Sequence, residues 1–110
     1  MQVDVRDEGG IVVVEPVGDI DGKTAPEFQE QVLGLVRPEA RLVLSLARVP
    51  FMSSAGLRAM LLIYREAKAK KAKVVLAEVN KDVRNSMSAT GFLSFFVVCG
   101  SVGDGMRAAA

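Results

Sequence analysis

The chain has 110 residues, half of them apolar and a quarter charged, which suits one packed domain and excludes wholesale disorder. Fourteen Lys and Arg stand against 13 Asp and Glu, so a formal charge of +1 offers no general field for nucleic acid or an anionic membrane. Histidine is absent and Cys99 is the one cysteine. These omissions exclude Ser-His and Cys-His catalysis, ordinary zinc sites and an intrachain disulfide, and the composition reads as a cytoplasmic protein.

Met1 to Asp7 alternates charged and apolar residues, unlike a signal peptide. Val3 and Val5 belong to a short strand, and Glu8-Gly9-Gly10 turns it into a second, Ile11–Val17, as an antiparallel hairpin. Gly18 to Gly22 is a loop. Thr24-Ala25-Pro26-Glu27 has the spacing of a capping box and opens a helix whose stripe is Phe28, Val32, Leu35 and Val36, ended by Pro38. Leu42–Leu46 is a strand covered on both faces. The next helix runs from Ala55 to about Lys71, with Leu57, Leu61, Tyr64 and Ala67 as its apolar stripe, widened by Met60 and Ile63. Val74–Ala77 is another buried strand. A helix from about Asn80 turns Val83 and Met87 inward and stops at Gly91, with Phe92 placed for a Schellman-type contact. Phe95–Val98 is the last strand, and a frayed helix follows Ser101. The uncharged stretch from Asn85 to Gly103 is broken by serines and glycines and is too interrupted to span a bilayer. Two strands followed by alternating helices and strands give an α/β fold with a mostly parallel sheet and right-handed crossovers.

Ser53-Ser54-Ala55-Gly56-Leu57 lies where a strand gives way to a helix, so its free backbone donors favour negative charge nearby. A serine at such a place is most often a helix cap. Gly56 in the first turn costs about 1 kcal/mol against alanine, which signals a close approach. Asp19 and Asp21 are ordinary turn residues, and nothing else in the chain completes an acid-base site around them. Arg58 falls on the exposed side of the helix. The basic run Lys68 to Lys73 reads as a solvated helix end, and Cys99 as a thiol in or near the core.

The segments Gly18-Asp19-Ile20-Asp21 and Val49-Pro50-Phe51-Met52-Ser53-Ser54-Ala55-Gly56-Leu57 resemble the STAS domain family. More narrowly they resemble bacterial anti-sigma factor antagonists, and Thr90-Gly91-Phe92-Leu93 with Phe95-Phe96 is similar to that family's C-terminal turn and last strand. The resemblance covers about Val3 to Met106. It implies a single STAS domain over residues 1–110, with a mixed, mostly parallel sheet of four to five strands, an N-terminal antiparallel strand, and helices packed mainly on one face.

The resemblance also implies a partner switch. The unphosphorylated antagonist binds an anti-sigma factor that is a serine kinase, and so frees a sigma factor. Phosphorylation of one serine releases it, and a metal-dependent serine phosphatase resets it. By alignment through Phe51-Met52 and Gly56-Leu57 that serine is Ser54, with Asp21, Ser53, Gly56 and Arg58 in the partner-binding surface. Two departures stand out: Ser53 replaces the family's usual aspartate and becomes a rival phosphate acceptor, and Ala55 replaces a common second hydroxyl residue. The expected protein is a regulator without catalysis, cofactor or metal, a monomer when free, and without nucleic-acid or membrane partners. Two other readings are a STAS scaffold subunit of a stress-sensing or lipid-transport complex, and a doubly wound nucleotide-binding domain or enzyme. The second lacks a glycine-rich phosphate loop.

Overall fold

Gly9 and Gly10 have φ values of 65° and 90°, the pair of positive angles that a two-residue turn of type I′ requires. Across that turn β1 (Gln2–Glu8) and β2 (Ile11–Val17) pair antiparallel, in register from Gln2 opposite Val17 to Glu8 opposite Ile11. The computed structural model describes residues 1–110 and adds β3 (Arg41–Ser45), β4 (Lys73–Ala77) and β5 (Val97–Cys99) to the same sheet. Strand order follows the chain from β1 to β5, and every pairing after the hairpin is parallel.

Helices α1 (Ala25–Leu33), α2 (Ser54–Ala69) and α3 (Lys81–Ala89) lie on one face. There Phe28, Val32, Met60, Ile63, Val83 and Met87 close over Val14, Leu42, Leu44 and Leu76. Helix α4 (Val102–Ala109) lies on the other face, over Ile11, Val13, Val43, Val75 and Ala77. Alternate residues of β3 thus enter different cores, which is why its sequence is apolar without interruption. The sheet has five strands and three of its four helices on one side, as the resemblance implies.

Four local expectations need correction. The first helix stops at Leu33 rather than near Pro38. Beyond Gly34 the chain tightens into i→i−3 turns, Leu35 N–H to Val32 C=O and Val36 N–H to Leu33 C=O, which still bury Val36. The capping box does not form, because Thr24 already has helical angles and its hydroxyl turns back to the preceding loop. Phe95 belongs to a short 3-10 helix, Phe92–Phe95, entered through Gly91 at φ 79°, so the last strand begins only at Val97. The terminal helix is docked rather than frayed. Ser101 Oγ accepts from Asp104 N–H at 3.1 Å, Ala109 is fully buried, and Gly105 brings the helix backbone against Val43.

Candidate functional site

In a parallel sheet the loops after the strands gather at one edge, and the loops after β2 and β3 are neighbours there. They are joined by backbone. Ile20 N–H donates to Phe51 C=O at 3.0 Å, and Ser53 N–H donates to Ile20 C=O at 2.9 Å. Ile20 and Met52 thereby form an isolated parallel bridge. A third element is tied in by Asn80, whose Oδ1 accepts from Val83 N–H at the start of α3 while its Nδ2 donates to Val49 C=O at 2.8 Å.

Gly56 makes this clamp possible. A Cβ at that position would stand 2.5 Å from Met52 Cγ and 2.8 Å from Ile20 O, distances that a side chain cannot hold. Gly56 is therefore buried inside the site and shapes it, presenting nothing to solvent.

The two serines are placed differently. Ser53 is the N-cap of α2 with extended angles, yet its hydroxyl makes no capping bond, and Oγ is buried without any partner. Ser54 is the first helical residue and is exposed. The first three backbone N–H groups of α2 have no intrahelical acceptor, and no side chain caps them. Arg58, one turn further along, is also exposed. It borders a groove of about 620 Å³ between α1 and α2, together with Gly22, Gln29, Glu30 and Leu62.

Asp21 is half-buried and organises its loop. Its Oδ1 accepts from Lys23 N–H at 2.9 Å and from Thr24 N–H at 3.2 Å. Those backbone bonds, helped by the Thr24 hydroxyl and the Lys23 charge, hold its carboxyl below the ordinary aspartate value of 3.8. Thr24 Oγ1 donates to Asp19 C=O at 2.7 Å and accepts from Asp21 N–H at 3.0 Å. Asp19 is exposed and contributes only its backbone carbonyl to the loop. The structure thus brings Asp21, Ser53, Ser54 and Gly56 into adjoining loops at one sheet edge, with Arg58 on the flank.

Two large apolar side chains lie exposed near these loops. Phe51, beside the serines, is 53% exposed, and Leu62, on the groove, is 42% exposed. A phenylalanine directly after Pro50 in a turn was a usable signal for the first. For Leu62 the signal is its place off the apolar stripe of α2, on the face that carries Arg58 and Arg65.

The chain belongs to the STAS domain family, whose profile matches residues 2–105. It is 32% identical over 93 residues to BtrV of Bordetella bronchiseptica, named as a candidate anti-sigma factor antagonist, a match spanning 84% of this chain and 80% of that protein. An anti-sigma factor antagonist of Mycobacterium paratuberculosis superposes with a TM-score of 0.83 at 27% identity, covering 98% of this chain and 92% of the other. A Thermotoga maritima protein, named as a candidate antagonist, shares the fold at a TM-score of 0.89 and 15% identity, over 97% and 93% of the two chains. No helix of the structure is long and apolar enough to cross a membrane.

Proposed function

We propose that this chain is an anti-sigma factor antagonist switched by phosphorylation at Ser54. In this reading the unphosphorylated form binds an anti-sigma factor that is also a serine kinase, and a sigma factor is freed. The kinase then phosphorylates Ser54 and releases the antagonist, and a metal-dependent serine phosphatase removes the phosphate. The protein acts by binding and has no catalysis of its own.

The observation that carries the reading is the contrast between the serines: Ser54 is exposed at the start of α2, whereas Ser53 Oγ is shut inside the clamp. A kinase reaches the first without disturbing the fold. Similarity to the two antagonists of Bordetella and Mycobacterium supports the choice of partner class.

The physics of release follows from the same placement. A phosphate adds about −1.5 to −2 charge and three acceptor oxygens. Unpaired first-turn amides stabilise that anion within this chain. A partner surface packed against Phe51, Leu62 and a neutral hydroxyl meets a charge it cannot solvate, and such a mismatch costs several kcal/mol. Since about 1.4 kcal/mol is tenfold in affinity, one phosphate suffices to dismantle the complex.

The test is a pull-down with wild type, Ser54→Ala and Ser54→Asp as baits, followed by incubation of the captured kinase with ATP and mass-spectrometric mapping of the product. Wild type and Ser54→Ala are expected to retain one ATP-binding kinase that Ser54→Asp loses, with phosphate found on Ser54 alone. Equal retention by all three baits, or phosphate on Ser53, overturns the proposal.

A further inference from the structure

The opposite end of the sheet carries a feature that the partner switch does not use. β5 begins at Val97, opposite Val75, so Lys73 and Val74 of β4 extend past its start. The corner left open is a cleft of about 490 Å³ between the last turns of α2 and the sheet edge. Tyr64, Ala67, Val74, Phe95 and Val97 form its floor. Phe95 and Val97 are 45% and 57% exposed, and the Tyr64 ring stacks on Phe95 with centroids 5.1 Å apart. Three lysines, Lys68, Lys71 and Lys73, stand around this floor, and no carboxylate side chain lines it. Lys68 and Lys71 are in no ion pair. Lys68 Nζ lies 5.9 Å from the Tyr64 ring centroid, and Lys73 Nζ donates to the Ala110 carbonyl at 3.3 Å.

We propose that this cleft binds an amphipathic anion, an apolar body ending in one carboxylate or phosphate head. Its volume falls within the range of about 300–1,000 Å³ typical of small-molecule sites. An apolar floor left open to water gains by being covered, and the Lys68 and Lys71 ammonium groups, which have no acidic partner, gain by meeting an anion. The apolar residues and the lysines line one concavity, so a single molecule can meet both. In sequence, Lys68 to Lys73 is only a charged helix end. The fold adds Phe95 and Val97, about 25 residues further along the chain, and thereby turns the charged end into a site with two chemistries. Helix geometry places this cleft about 20 Å from Ser54 along α2.

Tyr64 is the only tyrosine and tryptophan is absent, so tyrosine emission reads the cleft directly. Octanoate and octyl phosphate are titrated into the protein, with octanol and octylamine as controls, while emission and Tm are followed. Both anions are expected to change the emission saturably and to raise Tm, because a ligand that binds only the folded state stabilises it. The controls are expected to do neither. The head that binds more tightly distinguishes carboxylate from phosphate. A Lys68→Glu/Lys71→Glu chain is expected to bind about tenfold or more weakly. If that chain does not fold, Val97→Glu, at an exposed strand position, places an anion on the floor instead and is expected to weaken binding similarly. Absence of saturation, an equal response to octanol, or full affinity in the variants overturns the proposal. So does binding to anionic phospholipid vesicles without any response to octanoate or octyl phosphate, which marks the patch as a membrane-facing surface.

Discussion

Ser53 and Asp21 lie in joined loops, and their polar groups fare in opposite ways. An N-cap serine ordinarily contributes about 1 kcal/mol through its side-chain bond to the helix. Ser53 makes no such bond and buries a hydroxyl without a partner, which itself costs about 1–3 kcal/mol. Ser53→Ala is therefore expected to leave Tm unchanged or to raise it, and a drop of several degrees in thermal denaturation sinks the argument. Asp21 is the contrary case, a carboxylate held below its ordinary value of 3.8 by two backbone N–H donors. A depressed folded-state value means that its stabilisation is complete above the unfolded value and is lost as the pH falls through the folded one. Asn keeps the acceptor oxygen but not the charge. Melts of wild type and Asp21→Asn are expected to differ most near neutrality and to converge below about pH 4.

At the scale of elements, the start of α2 is held by a glycine where helix propensity alone favours alanine. Gly56→Ala offers about 1 kcal/mol of helix propensity. Against that, its Cβ meets Met52 Cγ at 2.5 Å and Ile20 O at 2.8 Å. The methionine can rotate, but the carbonyl is fixed by the bond from Ser53 N–H. Overpacking of this kind costs about 1–3 kcal/mol, so the steric cost wins. Urea unfolding is expected to show a net loss of stability, with partner binding impaired as the two loops part. A more stable Gly56→Ala chain contradicts the clamp. The same sequence signal, a glycine inside a helix, marks Gly105, whose Cβ would reach Val43 Cγ1 at 2.9 Å. In both helices a residue poor in propensity identifies a close approach, to the Ile20 carbonyl at Gly56 and to the Val43 side chain at Gly105.

For the molecule as a whole, the parallel sheet separates two poles. The loops at the strand C-termini carry Asp21, Phe51 and Ser54, and the strand N-termini carry the lysine-rimmed cleft. The proposed switch needs the fold to tolerate a phosphate, and the exposed helix start provides that tolerance. Ser54→Asp is thus expected to melt within a degree or two of wild type while failing to bind its kinase. A variant that unfolds instead removes the distinction between release and collapse. Twenty of the 26 buried hydrophobic residues lie in the strands and helices themselves, so one surface charge is small against the core that holds the fold.

Periodicity and turn chemistry made much of this legible beforehand. The Gly9-Gly10 hairpin, the apolar runs of β3 and β4 and the stripe of α3 follow from local rules, because each residue's face is set by its own element. In α2, Leu57, Met60, Ile63 and Ala67 are buried as expected, whereas Leu61 is only partly buried and joins neither core. The candidate site residues Ser54, Gly56 and Asp21 came from the resemblance of two short segments, since turn and cap signals alone mark only a helix start and a loop. The rest depends on contacts between distant residues. That Ser53 Oγ is buried while Ser54 is free is decided by the Ile20–Met52 bridge, formed across 32 positions of chain. That Gly103 and Gly105 lie in a docked helix is decided by the surface of β3 and β4, against local propensity. Local sequence thus determined most of the elements and the place where the second helix begins to within a residue. Tertiary structure alone decided which polar groups lose their partners and which apolar ones stay in water, because burial belongs to pairs of surfaces and not to single segments.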